Sequence, residues 1–135
     1  MNLHMRVAHP TNDIASITEM YCKGLHFKVL GKFEDHDGFD GIMLGHPEAQ
    51  YHLEFTHQRG YKAEINPGPE ELLVFYIKNF QEWSEMCETA EAAGFISVRS
   101  HNPYWDENGK TFVDVDGYRI VLQNATHRVR NNNGE

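Results

Sequence analysis

The chain writes one structural plan twice, and this repetition limits its possible folds more than any other feature. Asn12 and Asn79 each stand at the start of a helical pattern and lie 67 positions apart. Tyr51 and Tyr118 are separated by the same 67 positions and open matching strands, YHLEFT and YRIVLQ. A constant offset between two kinds of landmark marks an internal duplication. In the first copy an extended run, HMRVAH, precedes a helix whose Ile14, Ile17 and Tyr21 recur at helical spacing. Asn12 is its expected N-cap and Gly24 its expected stop. In the second copy ELLVFYI leads into a helix capped by Asn79, with Glu82 three residues on, a capping-box arrangement. Phe80, Trp83, Cys87 and Ala90 form its apolar stripe, and Gly94 ends it.

Each helix is followed by another extended run, FKVLGKF and FISVRS, and then by a hairpin-like pair. The first pair turns at GHPEAQ and the second at DVDGY. The predicted fold is therefore α+β, two tandem βαβββ units over residues 4–60 and 70–123 of one domain. A doubly wound sheet is excluded, because strands and helices would have to alternate throughout. Each unit is expected to be a small curved sheet with one helix on its convex face. The polar stretch 124–135 has no periodicity and reads as a disordered tail.

A chain of 135 residues is long enough to bury roughly two-thirds of its unfolded surface. Eight Phe, six Tyr and two Trp supply the bulk for a core or a lined pocket. The formal charge of −8 argues against nucleic acid and anionic membranes as partners, since both need a basic face. No apolar run approaches the roughly 20 residues of a membrane span, and no signal-like stretch follows Met1, so the chain reads as cytoplasmic. Cys22 and Cys87 fall in predicted helices, outside any metal-type spacing, and read as reduced core filler. The sequon Asn124–Thr126 carries no weight without a secretion signal. The run EDHDGFDG alternates acidic residues, but the twelfth position of a calcium loop would be His46, so it reads as a solvated turn.

The stretch YHLEFTHQRG places His52 and Glu54 on one face of a strand, with Leu53 and Phe55 on the other. His57 is expected beyond the strand end. Two donors fall short of the three or four that a metal normally takes. His4 lies two residues before Arg6, and with His52 and Glu54 it gives an alternative three-ligand set suited to Zn, Ni, Mn or Fe. His9, His26, His36, His46, His57, His101 and His127 fall near predicted turns, helix ends or the tail and read as exposed.

The tandem plan, with PTNDIASITEMYCKGLHFKVLG in the first unit and NPYWDENGKTFVDVDGYRIVL in the second, resembles the vicinal oxygen chelate superfamily. Within it the chain is similar to uncharacterised bacterial members of the glyoxalase, bleomycin-resistance and dioxygenase type, such as YycE-like proteins. The resemblance runs from His4 to Gln123, and Val115 replaces the proline usual in the last turn. It implies homodimers and a cavity bounded by the sheets. In metal-dependent members, four strands supply His or Gln, Glu, His or Gln, and Glu. Here those positions fall on Arg6, Glu54, Leu72 (or Leu73 with a one-residue shift) and Val121, so only Glu54 keeps a donor. Leucine and valine offer no lone pair, and arginine stays protonated.

The resemblance also sets the first and fourth strands side by side, so Arg6 and Glu54 are expected to pair, the guanidinium standing where a metal would. The implied function is a metal-free small-molecule binder of the bleomycin-resistance type. Its expected ligand-binding residues are Arg6, His52, Glu54, Leu72, Tyr76, Tyr104, Trp105 and Val121. Val74 forms an apolar wall, and Tyr104 and Trp105 lie on a loop that either closes the mouth or packs on the adjacent unit or across a dimer interface, the latter favoured for Trp105. One alternative is a divalent-metal-dependent lyase or dioxygenase built on His4, His52 and Glu54. Another is metal-free catalysis with His52 or Glu54 as general base.

Overall fold

A computed structural model describes residues 1–127 and resolves both copies of the plan. The first unit runs β1 (Met5–Pro10), α1 (Ile14–Leu25), β2 (Lys28–His36), β3 (Phe39–Gly45) and β4 (Tyr51–Gln58). The second runs β5 (Leu72–Tyr76), α2 (Phe80–Ala92), β6 (Ile96–Val98), a one-turn helix α3 (Tyr104–Glu107), β7 (Gly109–Val113) and β8 (Arg119–Gln123). The sheets order their strands β1-β4-β3-β2 and β5-β8-β7-β6, so the same crossover is made twice. In each, the first and last strands of the unit pair in parallel and the hairpins are antiparallel. This is the α+β fold of two βαβββ units expected from the repeat.

The helix boundaries differ in detail from the sequence expectation. Asp13, not Asn12, caps α1: its carboxylate accepts from the Ser16 backbone N–H at 3.0 Å and the Ser16 hydroxyl at 2.7 Å. Asn12 is taken up instead by the connection between units, exchanging two hydrogen bonds with the Ala63 backbone at 3.0 and 2.9 Å. Gly24 lies inside α1, where a Cβ would press on the Phe95 ring at 2.9 Å. The chain leaves the helix at His26, which adopts the left-handed conformation at φ 58°. Asn79 caps α2 as expected, accepting from Glu82 N–H.

The helix-facing residues of both units join one core. Leu53 and Phe55 on β4, with Ile42 and Leu44 on β3, pack around Ile17 and Tyr21; Ile120, Leu122 and Phe112 do the same around Cys87 and Ala90. Rings close the seam between units: Tyr21 on Phe95 at 5.2 Å, Phe27 on Phe75 at 5.7 Å, and His9 stacked on Tyr118 at 4.0 Å. A polar latch runs alongside them. The Tyr21 hydroxyl donates to buried Asp114 at 2.7 Å, and the Thr11 hydroxyl donates to Asp116 at 2.6 Å. Asp114 also accepts from the backbone N–H of Asp116 and Tyr118, so the DVDGY turn that joins β7 to β8 also docks onto the first unit.

Beyond β8, Asn124 is held: its side-chain amide donates to the Ile77 and Lys78 carbonyls. From residue 128 on, the expected tail lies outside the described residues. Among the described residues no helix is long and apolar enough to cross a membrane. Both cysteines are free; Cys87 is buried and Cys22 half-buried against the core.

Candidate ligand site

Alternation along β1 and β4 sends Val7, Leu53 and Phe55 toward the helix and leaves Arg6, His52 and Glu54 on the opposite face. The parallel register sets Arg6 directly beside His52 and Ala8 beside Glu54. Arg6 thus faces His52 and lies diagonal to Glu54, and it reaches both. Its Nε–H donates to His52 Nε2 at 2.9 Å, and Nη1 donates to Glu54 Oε2 at 3.2 Å. The Glu54 side chain is 12% exposed and that of Arg6 48%. A carboxylate so covered needs a compensating cation, and the guanidinium supplies it. The remaining guanidinium N–H groups make no hydrogen bond among the described residues.

Apolar groups flank this triad on the same face. Met43 lies opposite Glu54 across the β3–β4 ladder, and Phe33 lies over Gly41, opposite Thr56. Gly31 and Gly41 leave the space these side chains fill. The face therefore presents a charged cluster beside a thioether and an aromatic ring.

The other expected site residues occupy different settings. Leu72 lines a cavity of about 220 Å³ with His9, Glu71, Tyr118 and Arg119. Tyr76 is 42% exposed and lines a groove with Phe80 at the start of α2. Tyr104 and Trp105 lie on α3, not on a loop, with their rings edge to face at 5.0 Å. The Trp105 carbonyl meets the second sheet at Gly109, and Asp106 holds the segment by accepting from Ser100 N–H. Val121 is fully buried, with Thr111 and Gln123 buried beside it, so it cannot line an open cavity in the single chain.

The histidines also need correction. His57 lies within β4, its Nδ1 3.1 Å from the Thr11 carbonyl, because the strand runs to Gln58. His9, His46 and His57 are half-buried rather than exposed; His9 stands in β1, held there by Tyr118. Among the described residues no three His, Cys, Asp or Glu side chains come together in a group that could hold a metal ion. His4, His52 and Glu54 therefore do not form the alternative set: His4 precedes β1 and is exposed, and the Nε2 lone pair of His52 is engaged by Arg6. The four positions that relatives use for a metal present one carboxylate, one guanidinium and two aliphatic side chains, a donor set that does not fit a divalent ion.

Family models described as the YycE-like N-terminal domain and the YycE-like C-terminal domain match residues 5–56 and 70–124. The uncharacterized protein YycE of Bacillus subtilis is 42% identical over 121 residues, covering 90% of this chain and 87% of that one. The crystal structure of a YycE protein of unknown function from Bacillus subtilis superposes with a TM-score of 0.86 at 40% identity, over 95% of this chain and 93% of that one. Glyoxalase I of Leishmania major, described as trypanothione-dependent, gives 0.69 at 20% identity over 93% and 88%. An antibiotic binding protein from a Streptomyces species gives 0.64 at 15% identity over 93% and 98%. These last two share the fold. The chain belongs to the YycE-like family, and its fold is shared with glyoxalases and with fosfomycin- and bleomycin-resistance proteins.

Proposed function

We propose that this protein is a metal-free small-molecule binder of the bleomycin-resistance type, acting as a homodimer. The observation that carries the reading is the Arg6 guanidinium, hydrogen-bonded at once to His52 and Glu54 where relatives clasp an ion. A fixed cation with unspent N–H donors suits an anionic or strongly accepting group on a ligand. Met43 and Phe33 offer an apolar bed for the body of that ligand. Its binding of an organic molecule also accords with the antibiotic binding protein that shares the fold. The dimer reading rests on exposure: the triad face lies open in one chain, and Leu30, which with His52 borders Gly45, is 39% exposed.

The test has two arms. Metal analysis of protein purified without chelator is expected to find no stoichiometric divalent ion, and light scattering to give the mass of a dimer. Bleomycin, fosfomycin and a panel of aromatic antibiotics are then screened by thermal unfolding. A saturable rise in midpoint, lost in Arg6→Ala, supports the reading. Stoichiometric metal that disappears in Glu54→Gln overturns it and selects the metal-dependent lyase or dioxygenase.

A further inference from the structure

The 2.9 Å contact between Arg6 Nε and His52 Nε2 joins two nitrogens, so one of them must lack a hydrogen. A guanidinium keeps all of its N–H groups in proteins, which makes Nε the donor and leaves Nε2 bare. The proton of the imidazole then sits on Nδ1. That nitrogen has no hydrogen-bond partner among the described residues. No ring lone pair is free: the one on Nε2 accepts from Arg6, and Nδ1 carries hydrogen. The residue across the β3–β4 ladder is Gly45, where a Cβ would lie 3.2 Å from His52 Cβ and 3.4 Å from Leu30 Cδ1. A larger residue there would crowd the imidazole, and its absence leaves the ring room beside Arg6.

The donors of Arg6 can be counted in the same way. Nε–H goes to His52 and one Nη1–H to Glu54 Oε2 at 3.2 Å, which leaves one N–H on Nη1 and two on Nη2. A side-on grip, in which an oxyanion spans Nε and the neighbouring Nη, is closed because Nε–H is spent. A ligand therefore meets Arg6 through its Nη end. A single acceptor holds the planar fork at one corner, whereas two acceptors on different nitrogens fix its plane. We infer that His52 is a positioning residue: held as the Nδ1–H tautomer, it takes up Arg6 Nε–H and leaves the Nη end for a carboxylate-type or phosphoryl oxyanion of the ligand. With no free lone pair, His52 is not a general base. The inference rests on the binding function proposed above and names the group that this site receives.

The experiment starts with isotopically labelled full-length protein and no ligand. Nitrogen NMR should find His52 protonated on Nδ1 and bare on Nε2, with a scalar coupling across the hydrogen bond from Arg6 Nε. His52→Gln should keep Arg6 Nε–H protected from solvent exchange, because its Oε1 stands as many bonds from Cγ as Nε2 does. His52→Asn, whose oxygen falls at the Nδ1 place, should lose that protection, as should His52→Ala. Benzoate is then titrated as the oxyanion probe. Its affinity should fall about tenfold in His52→Asn and His52→Ala and stay within about twofold of wild type in His52→Gln. A proton on Nε2, no coupling to Arg6, or His52→Asn binding benzoate as wild type does would each overturn the inference. Benzoate that fails to bind wild type overturns the oxyanion assignment, while thermal shifts with the antibiotic panel decide the parent reading separately.

Discussion

Replacing Asp114 by asparagine should remove most of one acid-side component of this protein's pH dependence, and the structure sets the size of the change. Asp114 is 5% exposed and holds the β7–β8 turn against α1. Burial pushes its carboxyl up from 3.8 to about 6, although hydrogen bonds from Tyr21 and from the Asp116 and Tyr118 backbone favour the charged form. The unfolded chain releases this proton near 3.8, whereas the folded one keeps it to about 6. Between those values the folded state binds more protons, so stability falls as pH rises, and it levels off above and below. At ~1.4 kcal/mol per pH unit, the loss across the window is about 3 kcal/mol.

Asparagine preserves the contacts without the charge. Its Oδ1 accepts from the Asp116 and Tyr118 N–H groups, and its Nδ2 can donate to the Tyr21 oxygen, which both gives and accepts hydrogen bonds. Urea unfolding of wild type and Asp114→Asn at a series of pH values isolates the effect, because every other titrating group is common to both proteins. The stability of wild type relative to the variant should fall by about 3 kcal/mol between pH 3.5 and 7. Curves that stay parallel within ~0.5 kcal/mol would refute the assignment of this cost to Asp114.

Other consequences are smaller or more local. Asp13→Ala removes the α1 cap and should lower stability by about 1 kcal/mol in urea unfolding, while Asn12→Ala should leave α1 intact and speed hydrogen exchange at Ala63. Val121→Glu puts a carboxylate at the position the superfamily resemblance assigns to one, but into a fully buried place. It should cost about 3–5 kcal/mol, with no recovery of the unfolding midpoint on adding zinc or nickel. Burial pushes Cys87 up to about 11. A thiol reagent at pH 8 should therefore modify Cys22 slowly in the native protein and Cys87 only after unfolding.

The repeat made the fold legible because its two landmarks sit at equivalent points of equivalent strands: Tyr51 opens β4 and Tyr118 immediately precedes β8. The Arg6–Glu54 pairing was legible for a similar reason, since parallel neighbours at a known register can be counted off. His52 as the direct partner of Arg6 was one step harder, because it depended on the register and not on the strand order. What sequence could not reach was set by long-range contacts. Asp13 and Asn12 are both good caps, and only the proximity of Ala63 assigns one to the helix and the other to the connection. His9 looked like a strand-end histidine until Tyr118, 109 positions away, stacked on it.

The triad's energetics bear on why it is built as it is. With Arg6 48% exposed, its ion pair with Glu54 contributes between nothing and about 1 kcal/mol to stability, as partly exposed pairs do. An apolar side chain at each position, matching Leu72 and Val121 in the second unit, would close this face at less desolvation cost. The first unit instead keeps a covered carboxylate, an imidazole with its Nε2 lone pair engaged, and a half-exposed guanidinium with donors unspent among the described residues. Such an arrangement contributes little by holding strands together. Its physical consequence is to fix an arginine in one orientation, with its rotamer restrained by two acceptors, so that less side-chain entropy remains to be lost when a further acceptor docks.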